Sequence, residues 1–170
     1  MAATMARVSP RAVGIVAAAV ALAADQAHKF WMLNFFDIEA RQPLHVTTFL
    51  DIVLSWNRGV SYSLFAADGD TGRYVLLAGQ VAIICAIVFW FARARERWTA
   101  LALGLVVGGA LGNAGDRLFR GAVADFFYLH TQLPVGPLAN YVFNVADAFI
   151  TLGVALLLTR QVFAPEDEAN

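Results

Sequence analysis

The amino-acid sequence predicts an all-α integral membrane protein, with four transmembrane helices and a small extracytoplasmic β-like cradle in the first loop. Three observations carry that prediction. The 170 residues include 12 Lys+Arg and 13 Asp+Glu, 59% are hydrophobic, and the mean hydropathy is +0.62. A soluble globule needs polar residues to cover its surface, and this chain has too few. The runs 74–92 and 98–115 carry no charge at all, and each meets the requirement of roughly 18 or more apolar residues for crossing a hydrocarbon core of about 30 Å. Two more apolar runs, 12–33 and 141–159, are charged only at Asp25, Lys29 and Asp147. The apolar excess also excludes disorder, and the net charge of −1 excludes a nucleic-acid footprint. One domain over residues 1–170 is expected.

The first run has two readings. Arg7 and Arg11, an apolar stretch, and then Ala21-Leu22-Ala23 are the pattern of a cleavable secretory signal. Apolar character resumes at Phe30-Trp31-Met32-Leu33, however, and Asp25, Gln26 and Lys29 look purposeful, so the run is taken as a retained first helix. The loop that follows, 34–73, contains a stretch at 44–56 rich in Val, Thr, Ile, Phe and Leu, which predicts one or two short strands. Asn57-Arg58-Gly59 is then a turn signal. The second and third helices flank a short loop holding Arg93, Arg95 and Arg97. Cys85, alone in the chain, cannot form an internal disulfide and is expected to be a buried, inert thiol. In the third helix Gly104, Gly108, Gly109 and Gly112 form a small-residue stripe of the kind that lets helices pack closely. The fourth helix is followed by Arg160, and Glu166, Asp167 and Glu168 form a solvated tail. Arginine density around Arg7, Arg11, Arg93, Arg95, Arg97 and Arg160 places both termini and the short loop in the cytoplasm. Arg41, Arg58 and Arg73 are spread over the long first loop, and Arg117 and Arg120 lie on the same outer side.

Under that orientation the polar residues of the spans gather at one face. Asp25 and Lys29 lie near the outer end of the first helix, Asn113, Asp116 and Arg117 at that of the third, and Asn144 and Asp147 at that of the fourth. Asp125 follows shortly after the third helix, between Val123-Ala124 and Phe126-Phe127. Ionisable groups inside a span are expensive, which makes each a functional candidate. Bland roles also exist: an i,i+4 ion pair for Asp25 and Lys29, interfacial anchoring for Asp116-Arg117, and interhelical hydrogen bonds for Asn113 and Asn144. Asp125 and Asp147 are harder to dismiss, being flanked by apolar residues with no adjacent base. Two desolvated carboxyls held close share one proton. One then acts as base on a water while the other donates to a substrate carbonyl, which is the chemistry of an aspartic hydrolase.

Competing chemistries lack parts. There is no H-E-x-x-H or H-x-x-E-H, and His28, His45 and His130 are scattered, so neither zinc nor another metal or cofactor is expected. A Ser–Lys dyad would have Lys29 with Ser61 or Ser63, but no supporting motif. G-N-A-G-D at 112–116 superficially resembles the G-x-G-D of presenilin-type proteases, with a spacing wrong by one and too few helices. A proton-coupled transporter would place polar groups near the midplane or inner half, and an assembly subunit would use the glycine stripe without chemistry.

Five blocks in order then match one family. They are Asp25-Gln26 with Lys29; Asn57-x-Gly59-Val60-Ser61; Gly108-Gly109-Ala110-x-Gly112-Asn113-x-x-Asp116-Arg117; Gly121-x-Val123-x-Asp125-Phe126; and Phe143-Asn144-x-Ala146-Asp147. Over 25–153 the sequence resembles the prolipoprotein signal peptidases (signal peptidase II), bacterial membrane aspartic peptidases. The resemblance implies a catalytic dyad of Asp125 and Asp147. It implies that Asn113, Arg117 and Asn144 position the substrate backbone or the dyad, with Asp25, Lys29, Asn57, Gly109 and Asp116 in support. It further implies lipid-modified prolipoprotein substrates, contact with membrane lipids, no cofactor, a monomer, and a multi-pass location in the bacterial cytoplasmic (inner) membrane with the site outward. Departures from the family pattern are Ala114-Gly115 before Asp116-Arg117, expected to loosen the end of the third helix, Tyr62 for Phe, Ala24 for Leu, and Tyr141 where Trp-Pro is common.

Overall fold

A computed structural model of the chain describes residues 8–59, 70–131, 133 and 139–163. Arg7, Ser61, Tyr62, Ser63, Glu166, Asp167 and Glu168 lie outside the described residues.

Four of the helices are long and apolar enough to cross a membrane. The first, α1 (Pro10–Asn34), begins where Ser9 Oγ accepts from the Ala12 N–H at 3.2 Å and Pro10 supplies a preset φ at the first helical position. A one-turn helix, α2 (Ile38–Arg41), follows, then strands β1 (Leu44–Thr47) and β2 (Leu50–Asn57). Helices α3 (Asp70–Arg93) and α4 (Arg97–Phe119), strands β3 (Val123–His130) and β4 (Asn140–Phe143), and helix α5 (Val145–Phe163) complete the chain. A long apolar helix covers each of the four expected runs, with shifted ends. α4 continues to Phe119 without loosening at Ala114-Gly115, and α5 starts at Val145, because Tyr141 to Phe143 belong to β4.

α4 is the central helix. Of its apolar window 72% is buried inside the protein, against 22%, 6% and 11% for the windows of α1, α3 and α5. Gly104 and Gly108 place it against α1, where a Cβ at either would strike the backbone of Gly14 or Ala18. Gly109 does the same toward α5, where a Cβ would meet the Ala146 carbonyl oxygen at 2.5 Å. The glycine stripe therefore packs helices within this chain. α3 turns Val75, Val81, Ile83, Val88, Phe89 and Trp90 outward, a surface that suits lipid and not water. Cys85, expected to be buried, is exposed on that same helix.

Outside the spans the sheet is larger than the sequence predicts. It is a four-stranded antiparallel sheet in the order β1-β2-β3-β4. Only β1 and β2 come from the first loop, as expected; β3 and β4 come from the loop between α4 and α5. The sheet rests on the end of α1 through a cluster of Met32, Ile38, Ala124 and Phe126. Gly121, with φ 82° in the left-handed region that favours glycine, turns the chain from α4 into β3. The pairing Asp125↔Ser55 then sets the register that carries Asp125 to the helix ends.

Candidate active site

α1, α4, α5, β2 and β3 converge where the sheet meets the helices, and a buried lysine organises the point. Lys29 Nζ lies 2.8 Å from Asp25 Oδ2 and 2.8 Å from Asp116 Oδ2, and donates to Asn113 Oδ1 at 3.1 Å. Three donors meet three acceptors, which an ammonium needs when it is removed from water. Lys29, Asp25 and Asp116 are each 0% exposed. Asp25 also accepts from the Ala146 N–H at 2.9 Å, tying the start of α5 to α1. Asp116 accepts from Arg120 and, through Oδ2, from the Ala124 N–H at 3.3 Å, so it holds the entry of β3. The i,i+4 pair expected of Asp25 and Lys29 is present, but as part of a larger cluster. Asp116 is no interfacial anchor, and its hydrogen-bonded cations are Lys29 and Arg120.

Asn113 and Asn144 carry this cluster to the two isolated carboxylates. Asn113 Nδ2 donates to Asp147 Oδ1 at 2.8 Å. Asn144 Nδ2 donates to Asp125 Oδ1 at 2.6 Å and to Asn113 Oδ1 at 3.1 Å. Asn144 and Asp147 also cap α5 reciprocally: the Asp147 N–H donates to Asn144 Oδ1 at 3.0 Å, and the Asn144 N–H to Asp147 Oδ2 at 3.2 Å. A single asparagine thus holds both Asp125 and Asp147. From β2, Asn57 Nδ2 donates to Asp125 Oδ2 at 3.2 Å. Asp125 is 2% exposed, and Asp147 half-buried. Burial, and then the nearby charge of Asp147, push the Asp125 carboxyl up to about 6 against the pull of the Asn144 and Asn57 hydrogen bonds.

Eight of the ten expected site residues therefore belong to one hydrogen-bonded network: Asp25, Lys29, Asn57, Asn113, Asp116, Asp125, Asn144 and Asp147. Gly109 stands outside it and acts by its lack of a side chain beside Ala146. Arg117 is half-buried within electrostatic reach of Asp125, Asp147 and Asp116, and Nη1 donates to Gln80 Oε1 at 3.1 Å. Two glutamines complete the surroundings. Gln26 Nε2 donates to Asp25 Oδ2 at 3.0 Å and to the Gly112 carbonyl at 3.2 Å, while Gln80 reaches in from α3. The signal for Gln80 was an amide inside an otherwise apolar span. His45 and His130 do not join the site. They approach different oxygens of Asp51 in the sheet, at 2.9 and 3.3 Å. Among the described residues no group of three or more His, Cys, Asp or Glu converges as a metal cage would. The polar groups gather at one end of the helices, not at mid-span.

Fold and site together define a multi-pass membrane protein with paired carboxylates, supported by buried amides and a lysine, at one end of its helices. Comparison with known proteins assigns the family. Residues 17–163 match the family model described as signal peptidase (SPase) II. A lipoprotein signal peptidase of Beijerinckia indica is 50% identical over 150 residues, covering 88% of this chain and 87% of that one. Its counterpart in Methylocella silvestris is 48% identical over 156 residues, covering 92% and 89%. A solved bacterial membrane enzyme superposes with a TM-score of 0.71 at 25% identity, covering 90% of this chain and 92% of that chain. A second gives 0.69 at 26% identity, covering 89% and 94%. The chain belongs to the signal peptidase II family and is a membrane protease.

Proposed function

We propose that this protein is an aspartic endopeptidase that removes signal peptides from lipid-modified prolipoproteins, cutting before the lipidated cysteine. The observation that carries the reading is Asn144, which holds Asp125 and Asp147 together by hydrogen bonds to each. The pair keeps one proton, on Asp125, whose burial favours the neutral acid. Asp147 is the carboxylate, stabilised by the N-terminal pole of α5 and by the Asn113 and Asn144 donors. Asp147 takes a proton from water as the oxygen attacks the scissile carbonyl, and Asp125 gives its proton to the carbonyl oxygen. Collapse of the tetrahedral diol returns that proton to Asp125 and passes the one on Asp147 to the leaving amine. Asn113 and Asn144 spend their hydrogen bonds on the dyad and on Lys29, so they position the carboxylates. Arg117 is the group that holds substrate carbonyls. Neither a metal nor an organic cofactor enters these steps, and all the residues come from one chain, so a monomer suffices.

The protein sits in the bacterial inner membrane with both termini cytoplasmic and the dyad at the outer face. Acyl chains of the substrate then stay in the bilayer beside the helices while the peptide crosses the dyad. Replacing either Asp125 or Asp147 by Asn and following a lipidated precursor in liposomes tests the reading. Each variant should lose cleavage by about a hundredfold or more, and the wild type should leave an unlipidated precursor uncut. Full-rate cleavage by either variant removes the dyad.

A further inference from the structure

We infer that Gln80 of α3 is a positioning residue that fixes the guanidinium of Arg117 over the site. The inference rests on the role given to Arg117 above. Gln80 is the one amide in the run 74–92, and both ends of that amide are engaged. Nε2 donates to the Ala110 carbonyl at 3.0 Å, and Oε1 accepts from Arg117 Nη1 at 3.1 Å. The first bond settles the orientation of the second, since an amide whose NH2 is committed to a carbonyl turns its oxygen the other way. Ala110 and Arg117 lie roughly two turns apart on the same face of α4. Helical side chains lean toward the N-terminus, so Arg117 reaches back toward the turn that Gln80 grips. Gln80 therefore spans from the helix backbone to the cation.

A neutral partner has a chemical consequence here. A guanidinium offers five donors in a rigid plane. An amide oxygen takes one of them and fixes the plane without adding a negative charge of its own. A carboxylate at the same place would hold the arginine equally well but would compete with substrate carbonyls for it. α3 is otherwise mostly lipid-facing, with 6% of its window buried, and Gln80 gives that helix a direct link to the reaction.

The experiment is a double-mutant cycle on cleavage of a lipidated precursor in liposomes, using Gln80→Met, Arg117→Ala and the double variant, with Asp125→Asn alongside. Gln80→Met should raise KM about tenfold, the size of one lost hydrogen bond to a charged group, with kcat changed far less. In the Arg117→Ala background Gln80→Met should add nothing. Gln80→Glu should also raise KM while leaving thermal stability in detergent at the wild-type level, which a purely structural role would not produce. Unchanged KM in Gln80→Met, or effects that add in the double variant, would overturn the inference. So would an unchanged KM in Arg117→Ala. Full-rate cleavage by Asp125→Asn is a separate result that strikes the dyad and not Gln80.

Discussion

At Asp125, burial and a neighbouring carboxylate outweigh two amide donors, and the balance has a measurable sign. The carboxyl titrates at about 6 in the folded protein against an ordinary value of 3.8. Between those values the folded state binds more protons than the unfolded one, so stability falls as pH rises through the window. The thermal midpoint of the detergent-solubilised protein should drop as pH is raised from about 4 to about 6, a loss on the order of 1–3 kcal/mol. In Asp125→Asn, which has no proton to lose at this position, the same scan should be less steep than in wild type. A variant as steep as wild type would show that another group supplies the slope. At this scale the two key acids were legible because apolar neighbours and the lack of an adjacent base mark them out. The cluster on Lys29 was half legible: the i,i+4 spacing announces Asp25, while nothing local announces Asp116, which arrives from another helix. Arg117 directly follows Asp116, and sequence adjacency pairs the two. The fold also hydrogen-bonds Asp116 to Lys29 and Arg120, and Arg117 to Gln80.

At the scale of elements the glycines of α4 are not equivalent. A Cβ at Gly104 would run into the backbone of Gly14, which cannot swing aside as a side chain can. A Cβ at Gly115 of the same helix, or at Gly79 of α3, meets nothing within 4 Å. Gly104→Ala should therefore destabilise by about 1–3 kcal/mol or more by forcing α1 and α4 apart. Gly115→Ala and Gly79→Ala should be neutral or stabilising by up to about 1 kcal/mol, because alanine is the better helix former. Thermal unfolding in detergent checks both signs, and equal losses at all three sites would mean that backbone freedom, not contact, decides. The helices were legible because a membrane span declares itself by length and apolarity alone. β3 and β4 were not. The β3 residues Val123, Ala124 and Phe126 are buried and apolar, a run too short and too uniform to announce a strand by itself. Their partners in β2 lie far back in sequence, and strand pairing across that separation leaves no local periodicity to read. Asp125 was thus recognisable as an unusual acid, while the sheet register that delivers it was not.

At the scale of the whole molecule, charge is sorted between the two ends of the helices. One end holds Asp25, Lys29, Asp116, Asp125 and Asp147, and the other holds Arg93, Arg95, Arg97 and Arg160, with Glu96 accepting from Arg160 Nη2 at 2.6 Å to tie the α3–α4 loop to α5. Cytoplasmic loops carry the excess of arginine, and on that rule the proposed orientation has the second end inward and the proposed dyad outward. A net charge of −1 conceals that division. The orientation has a direct test, because Cys85 is the sole cysteine and can be removed. In a Cys85→Ala background, Thr48→Cys would sit exposed at the β1–β2 turn and Arg95→Cys exposed in the short loop between α3 and α4. A membrane-impermeant maleimide applied to intact spheroplasts should label the Thr48→Cys protein and spare the Arg95→Cys protein until the membrane is opened. The reverse pattern would put the dyad in the cytoplasm, where a precursor exported to the outer face cannot reach it. Equal labelling of both would mean that the arginines do not set the orientation. On the proposed function the expected pattern joins the polar network to its substrate, since only an outward dyad would meet a peptide whose lipid anchor rests in the outer leaflet.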